Sequence, residues 1–217
     1  DKPLSIAGKP LLTEEDETTI ENVRRRQILT LTSLDRSIAE VMAKLEETGE
    51  MDNTVVIFIS DNGKHWGEHR MDSKSTAYEE SVKVPFAIRY PPLIPAPYIE
   101  DGLVANIDIA PTLYELSETK APNAMDGLSL VPLLNGTDDW RTCLLLEAWP
   151  DRGHWTALHT GQYVYIETDD DLSEFYDLTI DPYEMNNMIN AEEYQSMILE
   201  MQADMQNERE RNVSFGN

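Results

Sequence analysis

The feature that most constrains this chain is the run Thr54-Val55-Val56-Ile57-Phe58-Ile59-Ser60, followed at once by Asp61-Asn62-Gly63. A continuous β-branched and aromatic run suits a strand covered on both faces, as in a parallel sheet flanked by helices. The segment before it is helical in pattern. Thr13 with Glu14, Glu15 and Asp16 forms a helix start, since acids in the first turn complement the helix dipole. Apolar residues then recur at Ile20, Val23, Ile28, Leu31, Leu34, Ile38, Val41, Met42 and Leu45, mostly three or four apart, which predicts one buried face. Gly49 is a fitting stop. Helix, tight turn, buried strand and polar strand end make an α/β unit. Ligands of such sheets collect beyond the carboxyl ends of the strands, where Asp61 sits.

Further along, Val84–Tyr90 reads as a second strand closed by Pro91-Pro92, and Asn106–Leu116 as a helix with Pro111 near its start. Thr142–Glu147 reads as a third strand. Thr156–His159 and Gln162–Glu167 bracket Thr160-Gly161 as a hairpin. Glu192–Glu210 reads as a terminal acidic helix with Tyr194, Ile198, Met201 and Met205 on one face. The expected organisation is an α/β portion over residues 1–140 and a small antiparallel sheet with a terminal helix over 141–217.

Charge narrows the partners. Lys and Arg total 17 against 41 Asp and Glu, a formal net charge of -24. This argues against nucleic acid, whose phosphates are bound by cations, and against an anionic membrane surface. No apolar run has the ~18 residues of a membrane span. Cys143 is the single cysteine, so neither an intrachain disulfide nor a cysteine zinc cluster is available. The chain opens Asp1-Lys2-Pro3 without an initiator Met and reads as an internal or processed piece. The sequence leaves the compartment unknown.

The chemistry concentrates between Ser60 and Glu80. Asp61 and Asn62 are adjacent hard oxygen donors, which suit Ca²⁺ or Mg²⁺; the alternative is a plain turn after a strand. His65 and His69 are four apart and would form a zinc pair on a helix, but Gly63 and Gly67 argue against a helix there. Lys64, Arg70 and Lys74 place positive charge in an acidic chain, as a tetrahedral oxyanion requires. Lys74 alone could equally be an exposed surface lysine.

These residues carry a resemblance. The strand with Ser60-Asp61-Asn62-Gly63, then Gly67-Glu68-His69, Lys74 and Tyr78-Glu79-Glu80-Ser81-Val82-Lys83-Val84-Pro85, is similar to the C-terminal signature of the type I sulfatase family. Asp52-Asn53-Thr54, Asn106–Thr112, Asp126–Leu134 and Glu174–Asn187 agree in order. The resemblance implies an alkaline-phosphatase-like α/β domain with a smaller C-terminal part and a single Ca²⁺. It places Asp61 and Asn62 as the second pair of metal ligands, with Asp61 also near the nucleophile, and Lys74 against the sulfate oxygens. It puts His65 and His69 in the loop at the pocket mouth, as candidate substrate contacts. Asn62, where some relatives have His, fits calcium better than a transition metal. Arg24-Arg25-Arg26 and Glu147–Asp151 resemble carbohydrate sulfatases, including glucosamine-6-sulfatase-like ones, so the implied substrate is a sulfated small molecule or glycan.

One part of the pattern is missing. The family's nucleophile is a formylglycine made from Cys or Ser in Cys/Ser-x-Pro/Ala-x-Arg, and no segment of this chain fits it; Cys143 precedes Leu144-Leu145-Leu146. The first metal-ligand pair, two adjacent aspartates, is also missing. The expectation is a sulfatase portion that is inactive alone and that pairs with its missing half or self-associates. A phosphate or phosphonate ester hydrolase of the same superfamily and a non-catalytic module are the alternatives.

Overall fold

The computed structural model describes residues 2–148 and 154–213, with the side chains of 212 and 213 excepted. Trp149–Asp151 of the carbohydrate-sulfatase resemblance lie outside the described residues, as do Phe215-Gly216-Asn217. The helices are α1 (Leu4–Ala7), α2 (Glu14–Thr48), α3 (Glu79–Val82), α4 (Ile109–Leu116), α5 (Val131–Leu134) and α6 (Gln195–Val213). The strands are β1 (Val56–Ile59), β2 (Phe86–Arg89), β3 (Leu144–Glu147), β4 (Trp155–His159), β5 (Tyr163–Thr168) and β6 (Glu174–Asp177).

Helix α2 is one uninterrupted element of 35 residues. Its start is a reciprocal cap: the Thr13 hydroxyl accepts from the Asp16 amide at 3.2 Å, and the Asp16 carboxylate accepts from the Thr13 amide at 2.9 Å. Gly49 ends it in the left-handed conformation (φ 75°). The expected buried face is a correction. Ile20 is the only buried residue in α2, while Ile28 (53%), Leu31 (55%) and Val41 (58%) are exposed. Val23, Met42 and Leu45 are half-buried, but the middle of the stripe, from Ile28 to Val41, is composed for burial and stands exposed.

The same holds for the sheet. Among the described residues, strand β1 pairs with β2 alone and in antiparallel register, Ile57 opposite Ile88. The mostly parallel sheet expected from the apolar run is therefore not formed by the described residues, and Phe58 is 40% exposed. A two-stranded ribbon has no second layer of its own, so neither face can be fully covered.

The later half forms the small antiparallel sheet that was expected, with strand order β3-β4-β5-β6. Its side chains alternate with period two. Leu158, Tyr165 and Phe175 face Ile198, Met201 and Met205 of α6. Ala157, Val164, Ile166 and Tyr176 face the other way, onto Met71, Ala77 and Tyr78. This second layer is what matters for function. The sheet's free face is covered by the loop that carries Lys74.

Candidate metal and anion site

Beyond β1 the chain makes a tight polar turn. The Asn62 amide donates to Asp61 Oδ1 at 2.9 Å, and Asn62 Nδ2 donates to the Gly63 carbonyl at 2.8 Å. That second bond commits the amide end of the carboxamide and turns Oδ1 outward. Lys74 Nζ donates to this Oδ1 at 2.6 Å and lies 3.8 Å from Asp61 Oδ2. The structure thus brings Asp61, Asn62 and Lys74 together from two separate segments. The Asp61 side chain is 82% exposed and that of Lys74 48%, so both remain open to a ligand.

Two contacts set this geometry. The Gly63 amide donates to the Ser81 carbonyl at 2.9 Å, which seats the strand end on α3. The Ser81 hydroxyl accepts from the amides of Ser75 (2.8 Å) and Thr76 (3.2 Å), which folds the Lys74 loop back over the same helix. Ser75 takes the left-handed conformation (φ 78°) to do so. The Trp155 indole N–H donates to the Ser75 carbonyl at 3.1 Å, tying the loop to β4.

Asp61 and Asn62 offer carboxylate and carboxamide oxygens, the donor chemistry of a hard cation. The Lys74 ammonium already sits on these oxygens and stands in for such a cation. The residues present fit a calcium ion as part of a larger oxygen set.

His65 and His69 are placed differently from the expected pocket mouth. Both are buried, at 0% and 8% exposure. His65 Nε2 pairs with Thr76 Oγ1 at 2.8 Å, and the His69 ring stacks on Tyr78 with centroids 4.0 Å apart. Burial pushes both imidazoles down to about 4, so they are neutral at pH 7. They support the loop from beneath and do not face the solvent beside Lys74.

Sequence reading missed what anchors the loop from the other side. Tyr78 donates to Glu174 at 2.8 Å, the Glu79 amide donates to Glu184 Oε2 at 2.8 Å, and His159 pairs with Glu79 at 2.8 Å. Glu174 and Glu184 fall in a segment read only as a motif. Their burial, at 2% and 0% exposure, is the signal that no sequence window carries. A cleft of about 800 Å³ opens beside Lys74, bordered by Ser75, His154, Trp155, Asp169 and Asp171.

The Glu79 anchor has a pH signature. Burial alone would raise its carboxyl, but hydrogen bonds from His159 and Lys83 outweigh this and hold it below the ordinary 4.5. A depressed folded value means the stabilisation is complete above the unfolded value and lost as pH falls through the folded one. Glu79→Gln is expected to cost about 2 kcal/mol at pH 7, the size of hydrogen bonds to a charged group. In thermal melts that gap should narrow as the pH falls below the ordinary carboxylate value of 4.5; a gap that stays constant from pH 7 into the acid range would contradict the assignment.

Two family profiles match the chain: sulfatase over residues 7–119, and N-sulphoglucosamine sulphohydrolase, C-terminal, over residues 67–211. The N-acetylglucosamine-6-O-sulfatase of Bacteroides thetaiotaomicron is 30% identical over 200 residues, covering 87% of this chain and 35% of that protein. The structure of BT4656 in complex with its substrate D-glucosamine-2-N,6-O-disulfate superposes with a TM-score of 0.80 at 29% identity, covering 85% of this chain and 40% of that one. The phosphonate monoester hydrolase of Agrobacterium radiobacter has a TM-score of 0.76 at 22% identity, covering 92% of this chain and 43% of that one, and shares the fold. The chain therefore spans well under half the length of the curated relatives it matches. On the strength of both profiles, and of a fold shared with alkaline-phosphatase-like enzymes, the chain belongs to the sulfatase family.

Proposed function

We propose that this chain is the C-terminal portion of a sulfuric ester hydrolase acting on a sulfated sugar, and that it is inactive by itself. The observation that carries this is the meeting of Asp61, Asn62 and Lys74 at one strand end. Asp61 and Asn62 would hold one side of a calcium ion, which when bound supplies positive charge to a sulfate oxygen. Lys74 would turn from Asn62 to the sulfate and stabilise the charge that builds on its oxygens during transfer. Asp61 has a second role in this reading, next to the nucleophile. That nucleophile, a formylglycine, is not among these 217 residues. Likeness to N-acetylglucosamine-6-O-sulfatase and to the D-glucosamine-2-N,6-O-disulfate complex supports a sulfated amino sugar as substrate. The cleft beside Lys74, walled by Trp155, Ile6, Met71 and Ile166 together with polar side chains, has the mixed lining of a small-molecule site.

The exposed stripe of α2 and the single-neighbour strand β1 are the surfaces on which the rest of a relative-length protein would pack, with a division near residues 140 and 141 between the α/β portion and the small sheet. Among the described residues no helix is long and apolar enough to cross a membrane. The expected result is twofold. The chain alone self-associates in sedimentation velocity and shows no turnover of an aryl sulfate or of glucosamine 6-sulfate. Co-expressed with the preceding part of its parent sequence, it forms a stable complex that hydrolyses the sulfate ester. Turnover by the chain alone, or a complex that prefers a phosphonate monoester, would overturn the reading.

A further inference from the structure

Beneath the Lys74 loop lies a second cluster that the proposed sulfate site does not use. His69 Nε2, Glu80 Oε2, Glu184 Oε1 and His65 Nδ1 are all buried and have no hydrogen-bond partner among the described residues. One ligand atom from each of His69, Glu80 and Glu184 lies within 4.8 Å of the others. His69 Nε2 is 3.8 Å and His65 Nδ1 3.9 Å from Glu80 Oε2. Unpaired buried polar atoms are costly. The nearby ammonium of Lys2 is engaged by Tyr176, by the Glu184 carbonyl oxygen and by Glu174 Oε2 at 3.7 Å. We propose that His69, Glu80 and Glu184, flanked by His65, form a buried structural site for a divalent transition metal of the zinc class.

The chemistry of the donors selects the ion. One or two imidazole nitrogens with two carboxylates form a nitrogen–oxygen set, which suits zinc; calcium takes six to eight oxygens. Zinc bonds of about 2.0–2.2 Å put neighbouring tetrahedral ligands about 3.4 Å apart. His69 and Glu80, at 3.8 Å, need a small contraction, and the group as a whole, within 4.8 Å, would close by up to about 1.4 Å. The backbone shapes the site without a helix: His69 lies in the left-handed region (φ 52°), inside the turn Glu68–Arg70. The Glu80 side chain keeps 14% exposure and gives the ion a way in. The site joins the loop of residues 63–83 to the segment after β6, so a bound metal would lock the platform under Lys74 to the C-terminal sheet. It is separate from the Asp61–Asn62 pair and uses none of its atoms.

The test uses the untagged full chain, stripped with a chelator and titrated with zinc chloride by calorimetry and by equilibrium dialysis with elemental analysis. The expected result is one zinc per chain, a raised melting temperature, and no displacement by excess calcium. Glu184→Gln keeps an acceptor for the Glu79 amide; it and His69→Gln should each weaken zinc at least tenfold, whereas Asp61→Asn should not change it. X-ray absorption of the zinc-loaded wild-type chain should show imidazole nitrogen and carboxylate oxygen at bonding distance, a readout independent of how the variants fold. Substoichiometric zinc, sulfur from Cys143 in the shell, or equal binding by wild type and Glu184→Gln would overturn the site and leave the cluster as one satisfied by protons or water. None of these outcomes bears on sulfate ester hydrolysis.

Discussion

Replacing Lys74 by alanine in the reassembled protein is expected to lower kcat for a sulfate ester about 100- to 1000-fold, the usual effect of removing one charge-stabilising donor from a transition state. KM should change much less, because the charge that Lys74 answers grows only as the sulfuryl group moves. The fold should not notice. The side chain is 48% exposed, and its ammonium meets Asn62 at 2.6 Å and Asp61 at 3.8 Å. Exposed pairs of this kind contribute roughly 0–1 kcal/mol, so the melting temperature should stay within about 3 °C of wild type. The combination separates the reading from a structural one. A loop lysine that merely braced Asn62 would cost stability and spare kcat. A fall in kcat of less than tenfold with an unchanged fold would remove Lys74 from the anion site.

How legible this site was in the sequence depends on the range over which each signal acts. Thr13, Gly49 and the spacing of Ile198, Met201 and Met205 are local signals, and the structure follows them. The strand at residues 56–59 is also where the apolar run puts it, but its partners are a non-local matter. Composition says that Phe58 and Ile57 suit burial; it does not say which chain buries them. Helix α2 shows the same limit, since periodicity reports what a face is made for and not what covers it. His65 and His69 sit in the expected loop, yet exposure is decided by Tyr78 and Thr76, which the fold brings over them. Strand β6 escaped because Glu174 and Asp177 make a four-residue segment look solvated. Tertiary partners reverse that: Glu174 is buried between Tyr78, Tyr176 and Lys2, where burial raises its carboxyl.

The largest effect on stability should come from a single methyl group at Gly63. A Cβ there would stand 2.1 Å from the Glu80 carbonyl oxygen and 2.9 Å from its carbon, with the Lys83 carbonyl oxygen at 3.2 Å. All three are backbone atoms, so no side chain can swing away. The Gly63 amide is also bonded to the Ser81 carbonyl at 2.9 Å, which holds the two segments at that spacing. Gly63→Ala must either break this bond or push α3 off the strand end. A cost of about 3 kcal/mol is expected, at the upper end for overpacking, which in a chain of this size lowers the melting temperature by roughly 6–12 °C. Gly49→Ala is the control. A methyl group on Gly49 would meet nothing within 4 Å, but the residue holds φ at 75°, so its cost is the left-handed penalty alone, about 1 kcal/mol. Any displacement at Gly63 also moves the Ser81 hydroxyl away from the Ser75 and Thr76 amides that it holds. The Lys74 loop then loses its register against Asn62, so in the reassembled protein kcat should fall even below the melting transition. Equal melting temperatures for Gly63→Ala and wild type would show that the strand end and α3 are not in rigid contact, and the placement of Asp61 and Asn62 against Lys74 would then need another cause.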